Sequence, residues 1–267
     1  MQEILSSLPP GARVLDLGCQ YGSFPMHSTR AIVVRLDRDA PASPPGALYV
    51  QADAARLPFA THSFDAVIAN HSLEHFHQLG DVLRDLGRIL HPGGALFVAV
   101  PDATTLTDKL YRWVGKGGGH VNPFTNADDL ALVIERATGL RAVSRRTLYS
   151  GLSFLNRNGA PRPLPKRLWL LGGGSELSLF LYVFLSRKID RLFHTRSAIY
   201  GWAFTFGSAP ASDDLVPWPN VCIRCGSGAA ARELSPRRTL LGVAVYRCPR
   251  CGTTNPFCRD EAFMPDC

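Results

Sequence analysis

Acid is scarce where base is most abundant. Between residues 141 and 196 the chain holds 2 acidic residues against 11 basic ones, a local charge of +9 within a net +7 for all 267 residues. Such a stretch suits an anionic partner (a phosphate, a membrane surface or RNA) or forms a solvated basic face. The first 110 residues are the reverse, with 8 Lys and Arg against 11 Asp and Glu. Cysteine is as unevenly placed. Cys19 stands alone before Cys222, so that first stretch cannot form a disulfide of its own. No run reaches the roughly 20 apolar residues that span a bilayer. The nearest, "LWLLGGGSELSLFLYVFL" (168–185), is broken by Gly172 to Gly174 and carries Glu176. No basic-then-apolar export segment opens the sequence, and the expected location is the cytoplasm.

What is present is a strong alternation of periods. Short β-rich runs occur at 13–17, 31–36, 47–50, 64–69 and 94–100. A helical stripe lies at 81–90, where Val82, Leu83, Leu86, Ile89 and Leu90 share a face, and "HPGG" follows it as a stop. Near-continuous apolar strands separated by helices imply a parallel sheet covered on both faces. Further on, 125–140 reads as a helix capped by Thr125 or Asn126 and closed by Gly139, with strands at 141–150 and 197–208.

The stretch "VLDLGCQYG" (14–22) ends an apolar strand in an acid and sets Gly18 and Gly22 four apart, the pattern of a strand entering a loop and a helix. The middle glycine of a dinucleotide fingerprint is absent, and Gln20 stands there. A pyrophosphate needs that close backbone approach, so NAD is disfavoured and a nucleoside without phosphate fits better. Asp37, 19 residues after Gly18, closes the second strand, where an acid can take ribose hydroxyls. Asp53 follows the third strand, and Asn70 and His71 end the fourth.

Together "VLDLGCQYG", "LDRD", "QADAARLPFATHSFDAVIANHSLEH" and "LHPGGALFVAVP" resemble the class I S-adenosylmethionine (SAM)-dependent methyltransferases, in particular their small-molecule and lipid group. The likeness covers about residues 10–150, with 197–207 as a last, antiparallel strand. It implies an α/β fold, a Rossmann-like doubly wound seven-stranded sheet. It also implies that Asp16 positions the loop and meets the methionine amino group, and that Gly18 and Gly22 admit the cofactor. Asp37 would bind the ribose, Asp53 and the adjacent Ala54 the adenine, and Asn70 and His71 would line the floor near the methyl donor. Gln20 departs from the pattern.

Methyl transfer from a sulfonium is an in-line displacement that needs alignment and, for an oxygen nucleophile, a base. His71 and His120 are the candidates. His120 lies in "GGGHVNPFTNADDL" (117–130), which resembles the segment covering the active site in these enzymes and would turn His120 and Asn122 to the substrate. His75 reads as a surface or packing histidine, and Cys19 as a small packed side chain.

Residues 151–196 are expected to supply acceptor selection. They read as a lid helix from about Ser175 to Phe193 packed on the sheet, or as an interfacial helix with Trp169 and Phe180 in lipid and Arg187, Lys188 and Arg191 at headgroups. After a linker at 209–220, the tail 221–267 carries "CIRCG" and "CPRCG". Cys222, Cys225, Cys248 and Cys251 have the spacing of one tetrahedral structural zinc, a zinc ribbon, with Cys258 and Cys267 spare and either able to replace a ligand; disulfides are the alternative, which suits a secreted protein.

The expectation is therefore a SAM-dependent methyltransferase domain over 1–208 plus a zinc ribbon. Its acceptor is a small molecule of lipid-like or lipid-linked character, with peripheral membrane contact. Two alternatives stand beside it: an RNA methyltransferase that holds RNA with the ribbon, and a non-catalytic SAM-binding scaffold.

Overall fold

The computed structural model describes residues 1–19, 22–39, 48–115, 119–159, 172–208, 218–239 and 242–259. The described chain clusters into two compact units. The first comprises 1–102, 119–146 and 202–215, and the second 103–118, 147–201 and 216–267.

Seven strands form one mixed sheet: β1 (Arg13–Leu17), β2 (Ile32–Asp37), β3 (Leu48–Gln51), β4 (Phe64–Asn70), β5 (Leu90–Pro101), β6 (Ala142–Tyr149) and β7 (Ile199–Gly207). Their spatial order is β3-β2-β1-β4-β5-β7-β6. The pairs β1–β2, β1–β4, β2–β3 and β4–β5 are parallel. The order reverses between β1 and β4, so the carboxyl ends of these two strands flank the position where open α/β sheets bind ligands. Gly207 N–H reaches Arg141 O at 2.9 Å while Ser150 N–H reaches Ala198 O at 2.8 Å, which makes β6 and β7 antiparallel. The expected Rossmann-like seven-stranded sheet is thus present.

Val14, Leu15 and Leu17 of β1 and Ala66, Val67, Ile68 and Ala69 of β4 are fully buried, as strands covered on both faces require. Helices α2 (Leu79–Ile89) and α4 (Ala127–Thr138) contribute Leu83, Leu86, Leu130 and Ile134 to the same core. Within α2, position 87 is a glycine because a Cβ there would sit 2.9 Å from the Thr138 carbonyl oxygen of α4. Asn126 caps α4 by accepting from the N–H groups of Asp128 and Asp129, and Gly139 ends it in the left-handed region at φ +75°, both as the sequence indicates.

Three local expectations change. The helix at 81–90 begins at Leu79 and releases Leu90 to β5, where its main chain pairs with Phe64. No α-helix follows the glycine loop: between β1 and β2 the described residues hold one short turn, Met26–Ser28. That segment has no helical apolar stripe, and Pro25 biases Phe24 toward an extended backbone. Conversely, α1 (Gln2–Ser7) precedes β1, burying Ile4 and Leu5, and α3 (Leu106–Val114) follows β5, capped by the Thr105 hydroxyl; neither was read from the sequence.

In the second unit, α5 (Glu176–Phe193) is capped by Ser175 Oγ, close to the helix expected there. Leu179 and Val183 pack with Leu155 and Ile223, and Leu110, Val114 and Phe180 lean on that cluster. The buried side of α5 thus meets α3 and the cysteine-rich tail, since Ile223 sits between two cysteines and supplies its apolar partner. Phe180 belongs to this packing rather than to a lipid-facing surface; Trp169 lies outside the described residues. The tail adds five short strands, β8 (Asn220–Val221), β9 (Gly228–Ala229), β10 (Arg237–Arg238), β11 (Ala244–Arg247) and β12 (Thr254–Pro256), with β11 central in an antiparallel trio.

Candidate functional site

Asp16 is completely buried at the carboxyl end of β1. Its Oδ2 accepts from Ser23 N–H at 2.9 Å and lies 3.6 Å from Arg35 Nε. Its Oδ1 is buried with no hydrogen-bond partner among the described residues. Burial pushes the carboxyl above its usual range, against the opposing pull of Ser23 and Arg35. An acceptor oxygen left open beside a glycine loop is the kind of group that an incoming ammonium satisfies. Arg35 in turn donates from Nη2 to Phe24 O at 3.1 Å and fixes the loop from below.

The two loop glycines are required by their surroundings. Gly18 has φ +65°, and a Cβ on it would lie 2.7 Å from Ser72 Cβ. Gly22 has φ +106°, and a Cβ there would collide with the Arg35 guanidinium. Gln20, the departure from the family pattern, lies outside the described residues. Cys19 is buried, and burial followed by Asp16 and Asp37 pushes its thiol up to about 12, which fits packing and not reactivity.

Asp37 ends β2, and its Oδ1 accepts from Asp39 N–H. Asp53 stands just beyond β3, exposed, with Oδ1 held by Ala55 N–H at 2.9 Å and Ala54 buried beside it. Asn70 ends β4 and His71 follows it. Asp16, Asp37, Asp53, Asn70 and His71 therefore all occur where parallel strands end, on the edge that the topology marks for a ligand.

His71 is in the left-handed region at φ 55°, an uncommon conformation for a residue with a side chain. Its N–H bonds to Ala99 O of β5, which turns the chain away at the end of β4. About a third of the side chain is accessible (31%), but Nδ1 is sealed and stands 3.8 Å from Glu74 Oε1. Burial, and then the neighbouring His120 and His75, lower its pKa to about 4, so the ring is neutral at physiological pH.

The segment bearing His120 is clamped to this turn. The N–H groups of Val121 and Asn122 both bond to Glu74 O, at 2.8 and 3.0 Å. Asn122 spends its side-chain amide on the carbonyls of Leu73 and Phe76, at 2.9 and 2.8 Å, so it holds the segment in place rather than facing a substrate. His75 contacts Gly119 O at 3.0 Å, and its ring meets that of His120 at 5.0 Å, edge to face. Glu74, His75 and His120 bring one potential ligand atom each within 4.8 Å of one another. Glu74 was not singled out from sequence; its position three residues after His71 was the available signal, but its burial was not visible.

Residues 15–98 match the family described as a methyltransferase domain. That stretch of the chain is a methyltransferase domain. Its curated relatives include a malonyl-[acyl-carrier protein] O-methyltransferase of Legionella pneumophila, 26% identical over 77% of this chain and 81% of that protein. Another of the same description, from Pseudescherichia vulneris, is 30% identical over 51% of this chain and 58% of that protein. Among solved structures, a methyltransferase from an antibiotic biosynthesis pathway of Anabaena variabilis superposes with TM-score 0.52 at 17% identity, covering 76% of this chain and 93% of that one. The methyltransferase domain thus shares its fold with these proteins, and the acceptor is not fixed by the likeness.

The second unit assembles a zinc-ribbon-like cluster. Cys222, Cys225, Cys248 and Cys251 place their sulfurs within 4.8 Å of one another. The Cys222–Cys251 and Cys225–Cys248 distances are 3.5 and 3.6 Å. Zn–S bonds of about 2.3 Å at tetrahedral angles give S···S edges of about 3.8 Å, so the donor set fits that ion. Gly226 and Gly252, at φ +70° and +73°, turn each knuckle and bond back to Cys222 O and Cys248 O. Burial opposes ionisation of Cys251, but bonds from Thr253 and the neighbouring thiols outweigh it and bring the thiol to about 6. Cys258 stands apart, its main chain bonded to the Asn220 side chain, and Cys267 lies outside the described residues. Glu176, the single charge in the apolar run, pairs with Arg224 at 2.5 Å, which ties α5 to the first knuckle.

A half-buried His whose pKa falls from 6.5 to about 4 binds fewer protons in the native state than in the unfolded chain, so stability is unaffected above pH 6.5 and declines below it. His71→Asn keeps a residue tolerant of positive φ and removes the titration. Urea denaturation at pH 7 and pH 5 should show the variant losing about 2 kcal/mol less stability than the parent between the two pH values. Equal losses would contradict the buried, neutral ring.

Proposed function

We propose that the protein transfers a methyl group from SAM to a small-molecule acceptor that is lipid-like or linked to a lipid or acyl carrier. The observation that carries the SAM half is the open Oδ1 of buried Asp16 beside the Gly18–Gly22 loop. When bound, SAM supplies a sulfonium-activated methyl group. Asp16 would hold the methionine ammonium, Gly18 and Gly22 would leave room for the cofactor backbone, Asp37 would accept from the ribose hydroxyls, and Asp53 with Ala54 would read the adenine. Asn70 and His71 would form the floor, with His71 acting as a neutral hydrogen-bonding group. His120 would be the base that takes the acceptor's proton, because its segment is the one clamped over the turn after β4.

Two observations support an acceptor with an apolar part. The malonyl-[acyl-carrier protein] methyltransferases among the relatives act on a carrier-linked acid. On α5, Leu177, Leu181, Leu185, Ile189 and Leu192 are exposed and fall on one helical face, opposite buried Leu179 and Val183. No described helix is long and apolar enough to cross a membrane, so contact with lipid through this face would be peripheral.

Labelled SAM incubated with malonyl-loaded acyl carrier protein, with lipid extract and with total RNA tests the reading. Label should enter the carrier or lipid fraction and resist nuclease. His120→Ala should lower kcat by about 100-fold or more while leaving the KM for SAM unchanged. Label confined to RNA, or full turnover of His120→Ala at every pH, would overturn it.

For the tail, a structural zinc held by the four cysteines is the corresponding proposal. Four thiolates leave no open position for catalysis, so its role is to hold the knuckles. Elemental analysis should give one zinc per chain, and Cys222→Ser with Cys251→Ser should lose it. Metal-free protein with an unchanged melting profile would exclude the proposal.

A further inference from the structure

The second unit contains a cavity of about 380 Å³, a size at the low end of the range for small-molecule sites. Six cations line it: Arg187, Lys188 and Arg191 from α5, Arg237 and Arg238 from β10, and Arg259 beyond β12. Among the described residues, no Asp or Glu lines it. Tyr149, Phe184 and Phe257 supply aromatic walls between the cations.

Arg187 distinguishes this cavity from a solvated basic face. Its Nη1 donates to Pro256 O at 3.1 Å. Its Nε and Nη2 are buried and have no hydrogen-bond partner among the described residues. Nε and one Nη of a guanidinium form the fork that matches two oxygens of a phosphate. Arginine cannot shed its proton to escape such a position. Burial lowers its pKa, against the opposing pull of Cys258, Tyr246 and Tyr149. A carboxylate would neutralise a single charge of six. A phosphoryl group brings up to two charges and several acceptor oxygens, and suits the set better.

We propose that this cavity is a binding site for the phosphoryl group of a small phosphorylated ligand, with Arg187 as its anchor, Arg237 and Arg238 on the rim, and the aromatic walls against the ligand's organic part. The site lies wholly in the second unit and stands whatever the methyl acceptor is. A soluble phosphate monoester and a phospholipid headgroup share this chemistry.

The test is calorimetric titration of the zinc-replete full chain with inorganic phosphate and with glycerol 3-phosphate. One saturable site is expected, with glycerol 3-phosphate the tighter ligand. Arg187→Gln should weaken binding at least 10-fold. Arg237→Gln with Arg238→Gln, both exposed and outside the packed cluster, should weaken it several-fold and keeps the test available if the first variant does not fold. Sedimentation with phosphatidylcholine vesicles containing phosphatidic acid, displaced by glycerol 3-phosphate, would support the site and assign its ligand to lipid. Phosphate binding without sedimentation would support it and assign the ligand to the soluble pool. No saturable phosphate binding, or equal affinity in parent and variants, would overturn the proposal.

Discussion

The first unit is organised around a carboxylate that water cannot reach. Asp16 lies under the loop after β1, one oxygen on Ser23 N–H and near Arg35, the other open. Removing a charge from water is costly unless it is paired, and the Arg35 pair here is long and buried. The neighbouring features follow from holding it. Arg35 must lie inside the sheet edge to face Asp16, and its guanidinium then fills the space below Gly22, so no Cβ is tolerated there. Gly18 must pass close to Ser72, which brings the ends of β1 and β4 together at the reversal of strand order. The loop is thus shaped by its own buried ion pair as much as by a ligand.

That arrangement explains what was legible in the sequence. Strand periods, the Asn126 cap and the Gly139 stop are local signals, and each reappears within a residue or two of its expected place except the start of β5, which takes Leu90 from the expected helix and begins four residues early. The acids at 16, 37 and 53 could be placed because a parallel sheet delivers strand ends to one edge. Arg35 was invisible because a basic residue inside "AIVVRL" reads as a strand interruption until its partner is known. Glu74 and Asn122 were misjudged or missed for a related reason. Their roles depend on a contact across 46 to 49 residues, in which Asn122 closes two carbonyls of the turn after His71. The absent helix after the glycine loop shows the converse: motif resemblance suggested it, and the segment's own composition, with Pro25 and no apolar stripe, prevailed.

In the second unit the charge imbalance acquires a structural sense. Glu176 is spent on Arg224, and the buried face of α5 is spent on Ile223 and α3. What remains of α5 is an exposed apolar stripe and a set of cations turned into a cavity with β10 and the end of the tail. The first knuckle is tied to Asn156, whose amide donates to Ile223 O, and to Asn255 of β12, whose side-chain carbonyl receives Ile223 N–H, and the next residue of β12, Pro256, accepts from Arg187.

The buried Asp16 and the glycine loop above it stand or fall as a site by whether they receive SAM. Calorimetric titration of SAM into the parent protein and into Asp16→Asn, which preserves shape and removes the charge, tests it most directly. One SAM per chain is expected for the parent and at least 10-fold weaker binding for the variant, with both proteins showing the same far-ultraviolet circular dichroism. No heat of binding to the folded parent, or equal affinity in the two proteins, would contradict it.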